Sequence, residues 1–418
     1  MVSIMKISYV HNLIAFLTLL LMALTATAQV GPDTRPMSTD GLTVFEAPKG
    51  DLAAFNGLEV YWGAAFTQQF QALDHENAGG VPLVELGNGF NLATANLNMG
   101  AHLAKGITVA VESYWSSLHH PEAWVKGGYL QVNSMEMLGI DAIDQLFEYM
   151  TVRAGHFEIN YGDAHFRRTD NGNALFNPFV GNLIMDSFAT EIGMDVTIQN
   201  NGFFGVVGVT NGEIKGAITR PDDRALAYIG KLGVDRQLND DLRVRLSGSV
   251  YTTSASLNNT LYAGDRAGSR YYDVMVENAG DDFRNGRMNP GFRSEVTAFQ
   301  VNPMIIFQGF ELHGVYERAT GAAAAETDTR SVDQMAVDAI YRMNDVYVGL
   351  RYNTVSGEFG YPSDVTVNRV QAGAGWFLTP NVLLKAIYSQ QTYEDFPVGS
   401  IQEDGKFNGF TVEGVVAF

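Results

Sequence analysis

Apolar and polar residues alternate with a period of two along most of this chain. That is the spacing of strands whose two faces meet different surroundings, because successive side chains on a strand point to opposite sides. Between 241 and 253, Leu242, Val244, Leu246 and Val250 share one face, and Arg243, Arg245, Ser247, Ser249 and Tyr251 share the other. Between 345 and 356, Val346, Val348, Leu350 and Tyr352 alternate against Arg351 and Asn353. Runs of this kind predict strands near 57–70, 90–104, 106–118, 124–134, 149–159, 188–199, 202–211 and 224–236. The second half adds 241–253, 294–307, 309–319, 331–343, 345–356, 366–378, 381–392 and 407–418. The total is about sixteen, an even number within the range of bacterial barrels.

The connections sort into two kinds. Tight reversals fall at Lys105-Gly106, Asn200-Asn201-Gly202, Asn239-Asp240, Gln308-Gly309, Asn344-Asp345 and Thr379-Pro380-Asn381, where Gly, Asn, Asp or Pro supply hairpin geometry. All six follow even-numbered strands. The link from Ser134 to Glu148 also follows an even one, and Ile140, Ile143, Leu146 and Phe147 at helical spacing predict a short helix there. Long gaps at 160–187, 254–293, 320–330, 357–365 and 393–406 follow odd-numbered strands. A two-sheet sandwich shares the short alternating strands but gives no reason to place tight turns at one end and long loops at the other. The prediction is therefore all-β: a transmembrane antiparallel β-barrel of about sixteen strands, with short periplasmic turns and long outer loops.

Met1 to Ala28 has the parts of a secretory signal: one Lys, an apolar run from Leu13 to Leu24, and Ala26-Thr27-Ala28 before an expected cut at Gln29. Residues 29–56, with Gly31, Pro32, Pro36 and Pro48, read as an irregular periplasmic arm, and 57–418 as the barrel. Apart from the signal, no segment is apolar over the length of a spanning helix, so entry into a bilayer would be by strands. The 418 residues include no cysteine, which excludes disulfides and thiolate metal sites. Lys and Arg number 27 against 46 Asp and Glu, a net charge of −19 that disfavours a nucleic-acid partner.

On the face opposite the apolar one, Arg342, Arg351, Arg369 and Lys385 occupy four successive strands. They form either a basic strip along one wall, biasing a pore toward anions, or part of an ordinary polar lining with local ion pairs. The third long connection, 160–187, carries Asp163, His165, Arg167, Arg168 and Asp170 among many aromatics. Folded inward, these five residues would narrow the channel and set its field. In the alternative structural role, Asp163 or Asp170 pairs with the arginines to hold the loop on the wall. Trp62, Tyr114, Trp115, Tyr129, Phe203, Tyr352 and Trp376 lie near strand ends as candidates for aromatic girdles. The last strand alternates Phe410, Val412, Val416 and Phe418 on a lipid-facing side with Thr411 and Glu413 on the lumen side.

The signal segment, the strand Thr151-Val152-Arg153-Ala154-Gly155-His156-Phe157, the following Tyr161-Gly162-Asp163 and the terminal Phe418 resemble bacterial outer-membrane porins of the phosphate-selective porin O and P type. That resemblance implies a homotrimer of sixteen-stranded barrels, each with an inward third loop and diffusive passage of small hydrophilic solutes. It also implies outer-membrane lipid and lipopolysaccharide as surroundings, and barrel-assembly machinery reading Phe410, Val412, Val416 and Phe418. No lysine cluster matches a phosphate-capturing entrance, so the channel carries over and the phosphate does not.

No cofactor is implied and no catalytic set is legible: there is no H-E-x-x-H, G-x-S-x-G or Walker loop. His119-His120 beside Pro121 and Glu122 reads as solvated surface rather than a metal site. The other function class is a barrel devoted to ligand binding, adhesion or unrecognised enzymatic work through the 254–293 loop, whose arginines and carboxylates, such as Arg284, Arg287, Arg293 and Glu277, cancel.

Overall fold

A computed structural model describes residues 34–418 apart from 48, 51, 92, 118–120, 217, 264–271 and 279–282. The expected signal segment and His119-His120 lie outside the described residues. The strands are β1 (Glu59–Glu76), β2 (Gly89–Phe90), β3 (Thr94–Ala104), β4 (Ile107–Ser116), β5 (Trp124–Val132), β6 (Met150–Glu158), β7 (Thr190–Asn200), β8 (Phe203–Thr210) and β9 (Ala227–Gln237). They continue with β10 (Leu242–Thr253), β11 (Glu295–Phe307), β12 (Phe310–Ala322), β13 (Arg330–Met343), β14 (Val346–Gly357), β15 (Val365–Thr379), β16 (Val382–Glu394) and β17 (Lys406–Ala417).

Each long strand pairs antiparallel with its neighbours in sequence, and β1 pairs with both β3 and β17, which closes the sheet. The result is a sixteen-stranded antiparallel β-barrel with β2 as an extra two-residue piece. The stretch expected as one strand over 90–104 is split because both parts pair with β1 at different heights. Phe90 lies opposite Phe70, while Thr94 lies opposite Thr67. The expected helix is present as α1 (Asp141–Phe147), between β5 and β6.

The tight turns obey backbone geometry. Asn201 and Gly202 both take positive φ, 49° and 77°, as do Gln308 and Gly309, 48° and 85°. Two successive positive φ values define the hairpin turn whose twist matches paired strands.

The alternation sorts side chains onto two faces. Leu246, Leu350, Val348 and Phe410 are 50 %, 60 %, 49 % and 60 % exposed, whereas Arg245, Arg351, Thr411 and Glu413 are buried. The outer face is thus an apolar belt, with Trp62, Trp115, Phe203, Tyr352 and Trp376 exposed on it. Two candidates for the girdle face the other way. Tyr114 is buried, because it adjoins Trp115 and neighbours on a strand cannot share a face. Tyr129 lies under the Arg153 guanidinium, 5.8 Å from its ring centre.

Leu350→Arg puts a cation mid-belt. It is expected to lower the stability of the barrel in lipid vesicles by about 2–4 kcal/mol, measured by reversible denaturant unfolding. An effect near zero would show that this face does not meet lipid.

The barrel interior is filled by chain. One apolar cluster joins Ile184, Met185, Leu261, Tyr262 and Tyr272 of the long connections to wall residues such as Val296, Val332 and Val367. A second joins Leu175, Phe176 and Phe179 to Tyr347, Leu383 and Val415, with Met37 and Leu42 of the arm against it.

Candidate functional site: the inward connection and the inner wall

Residues 159–189, between β6 and β7, turn into the barrel. Entry is set at Gly162, whose φ is +70° and where a Cβ would lie 2.0 Å from Gln300 Oε1. Only glycine tolerates both the conformation and the approach. Its amide donates to Ser249 Oγ at 2.8 Å, and the Asp163 amide donates to Asn302 Oδ1 at 2.9 Å. Short 3-10 turns follow at Ala164–Arg167 and Asn171–Leu175. The chain then crosses to another part of the wall, where the Ile184 amide donates to Asn353 Oδ1 at 2.6 Å and the Met185 amide to Gln334 Oε1 at 3.0 Å.

The structure places all five candidate loop residues inside the barrel, buried. Asp163 accepts from Arg245 Nε at 2.7 Å and lies 2.8 Å from Lys231 Nζ. Burial pushes its carboxyl up, but Lys231 and Arg245 outweigh that and hold it well below the ordinary carboxylate range. His165 sits between Glu158 Oε1 at 2.5 Å and Asn160 Oδ1 at 3.1 Å. Burial lowers its pKa, against the pull of Glu158.

Arg167 pairs with Glu311 and lies 3.9 Å from Asp338. Arg168 grips Asp186 through Nε at 3.0 Å and Nη2 at 2.7 Å. Asp170 meets Lys126 at 2.5 Å. Burial raises the Asp170 carboxyl above its ordinary range, and Lys126 and Arg168 offset this only in part.

The four basic wall residues do stand on successive strands, β13 to β16, but each is engaged. Arg342 meets Glu311 at 3.3 Å, and Arg351 meets Asp338 at 2.6 Å. Arg369 donates to Gln391 Oε1, Asn182 O and Gly286 O at 2.7, 2.7 and 2.5 Å. Lys385 donates to the Ala174, Asn177 and Phe179 carbonyls at 2.9, 2.9 and 3.0 Å and pairs with Glu413 at 2.6 Å. Arg369 and Lys385 thus fasten the inward connections to the wall, whereas Arg342 and Arg351 pair with acids of neighbouring wall strands, and buried charges are generally found in such paired arrangements.

A cavity of about 20 Å³ lies between Arg167, Arg168, His313, Asp338 and Arg351, room for about one water. A larger vestibule of about 620 Å³ opens beside Met275, Glu277, Asn289 and Gln402. Among the described residues no group of three or more His, Asp or Glu is arranged to hold a metal ion.

Sequence reasoning missed the arm's part in this site. Its described residues begin at Thr34, and the chain reaches in from the tight-turn end. Thr39 N donates to Pro380 O at 2.9 Å and Asn381 Nδ2 donates to Met37 O at 2.7 Å. Farther in, the Arg35 guanidinium lies 3.6 Å over the Phe176 ring and donates to Phe166 O at 2.7 Å. Glu46 meets Lys231 at 2.9 Å and Arg245 at 2.8 Å. No period or motif in 29–56 signals these contacts, which join residues far apart in sequence.

No protein-family model and no curated protein matches the chain. Solved structures do match in fold. An anion-selective porin from Comamonas acidovorans superposes with TM-score 0.56 at 12% identity, covering 86% of this chain and 100% of its own. OmpT, an outer-membrane protein of Vibrio cholerae solved in a trimer form, gives TM-score 0.51 at 12% identity, covering 87% of this chain and 100% of its own. At such identities the likeness is one of fold: the barrel is porin-like.

Proposed function

We propose that this chain is an outer-membrane channel through which small hydrophilic solutes pass, with the inward connection 159–189 as its constriction. The observation that carries the reading is the closed barrel with an apolar outside and a charged inside, crossed by a loop that bears Asp163, His165, Arg167, Arg168 and Asp170. Such a constriction sets both the width and the field of a pore. Export through a signal over 1–28, residence in the outer membrane and assembly as a homotrimer belong to the same reading, supported by the porin-like fold. The engaged state of Arg342, Arg351, Arg369 and Lys385 favours general passage over a phosphate-capturing ladder.

One observation favours a second reading. Two apolar clusters fill the barrel, as suits a barrel built for binding or adhesion. Planar-bilayer recording separates the two: folded protein that inserts and yields discrete conductance steps is a channel, and insertion without steps leaves the filled barrel of the second reading.

A further inference from the structure

Glu46 is not a residue of the wall, yet its carboxylate is held as a bound anion would be. Oε1 lies 2.9 Å from Lys231 Nζ of β9 and 3.2 Å from Asn160 Nδ2, and Oε2 lies 2.8 Å from Arg245 Nη2 of β10. Its side chain is only 5 % exposed. The bed beneath is also built. The Arg245 guanidinium stacks 4.2 Å from the Phe45 ring and 4.5 Å from the Phe204 ring, and Asp163 holds Arg245 and Lys231 from the other side at 2.7 and 2.8 Å. Asp235 fixes the remaining arm of Arg245 at 3.0 Å.

We propose that Lys231 and Arg245 of the barrel wall and Asn160 of the inward connection form a carboxylate-binding site, and that Glu46 occupies it in cis as a tethered competitor for a carboxylate-bearing solute. This rests on the reading of the barrel as a channel, which brings such solutes to the wall. The charges support it: Lys231, Arg245 and Arg243 face the carboxylates of Glu46, Asp163 and Asp235, three against three, and with Glu46 gone the three cations retain only Asp163 and Asp235 from this set. Charge-assisted hydrogen bonds from a guanidinium and an ammonium suit a carboxylate. Other contacts anchor the arm independently, among them Lys49 Nζ donating to Asn133 O and Met150 O, each at 3.0 Å. Vacating the site therefore does not require the arm to leave.

The test is calorimetric titration of the purified full-length barrel in detergent with propionate, which matches the end of a glutamate side chain. Glu46→Ala is expected to bind propionate saturably and at least about tenfold more tightly than wild type. Adding Asn160→Ala or Lys231→Met to Glu46→Ala is expected to abolish that gain. A Glu46→Ala barrel that keeps its heat-resistant folded mobility and shows no gain overturns the proposal. So does a gain that survives both second substitutions, since binding would then lie elsewhere. Conductance is recorded in parallel: its absence in every variant defeats the channel reading, while the calorimetry still decides the site.

Discussion

Lys385→Met is expected to free the inward connection and cost about 3–5 kcal/mol of stability, the usual penalty for stranding one member of a buried ion pair. Lys385 is fully buried, and its ammonium serves three loop carbonyls and Glu413 at once. Methionine keeps an unbranched stem of nearly the same length and loses every donor. Glu413 would retain only the Gln69 amide, at 2.5 Å, against its charge. Denaturant unfolding of the folded barrel measures the cost, and single-channel recording measures the release as larger conductance steps than wild type. The double variant Lys385→Met with Glu413→Leu should recover part of the stability, because no charge is then stranded, but none of the loop anchoring. Unchanged conductance in both variants would show that Lys385 does not hold the loop.

The second large effect is expected at Asp163→Ala, which removes the carboxylate shared by Lys231 and Arg245. Loss of about 3–5 kcal/mol is expected at neutral pH, and its dependence on pH has a definite sign. The Asp163 carboxyl is held below its ordinary value, so the stability it contributes is complete above about pH 4, the ordinary aspartate value. That contribution declines only as pH falls toward the lowered native value. Wild type and variant should differ most at neutral pH and converge in acid. A gap that stays constant down to pH 2 would mean that Asp163 acts through shape and not through charge.

The strands were legible because each carries its own signal: a period of two bounded by turn residues, as in 241–253 and 345–356. The faces were legible for the same reason, and Arg351 and Leu350 lie where their alternation puts them. What fills the barrel was not. Arg369 is committed to the carbonyls of Asn182 and Gly286, and backbone carbonyls leave no trace in residue identity. The four cations were therefore readable as a free strip as well as local pairs. Glu46 was illegible on other grounds: one of four acids in a proline-bearing arm, beside Asp33, Asp40 and Asp51, it carries no mark of burial until the chain is seen to enter the barrel. Tyr114 shows the opposite case, where the period alone already forbade it from sharing a face with Trp115.

The seam between the first and last strands has a consequence for how the molecule is made. Ala64 N donates to Phe418 O at 2.7 Å and Phe418 N donates to Ala64 O at 2.8 Å, so Phe418 itself helps fasten the ring. Register runs from there along Ala65 opposite Ala417 to Glu76 opposite Lys406. Until β17 has been made, β1 has no partner on that side, and the growing sheet carries two open edges prone to pairing with other chains. Contacts between chain ends are also slow to form, since the longest loop must close first. Biogenesis is thus a race between closure and misassociation, and an escort that shields both edges until the seam zips would decide the yield.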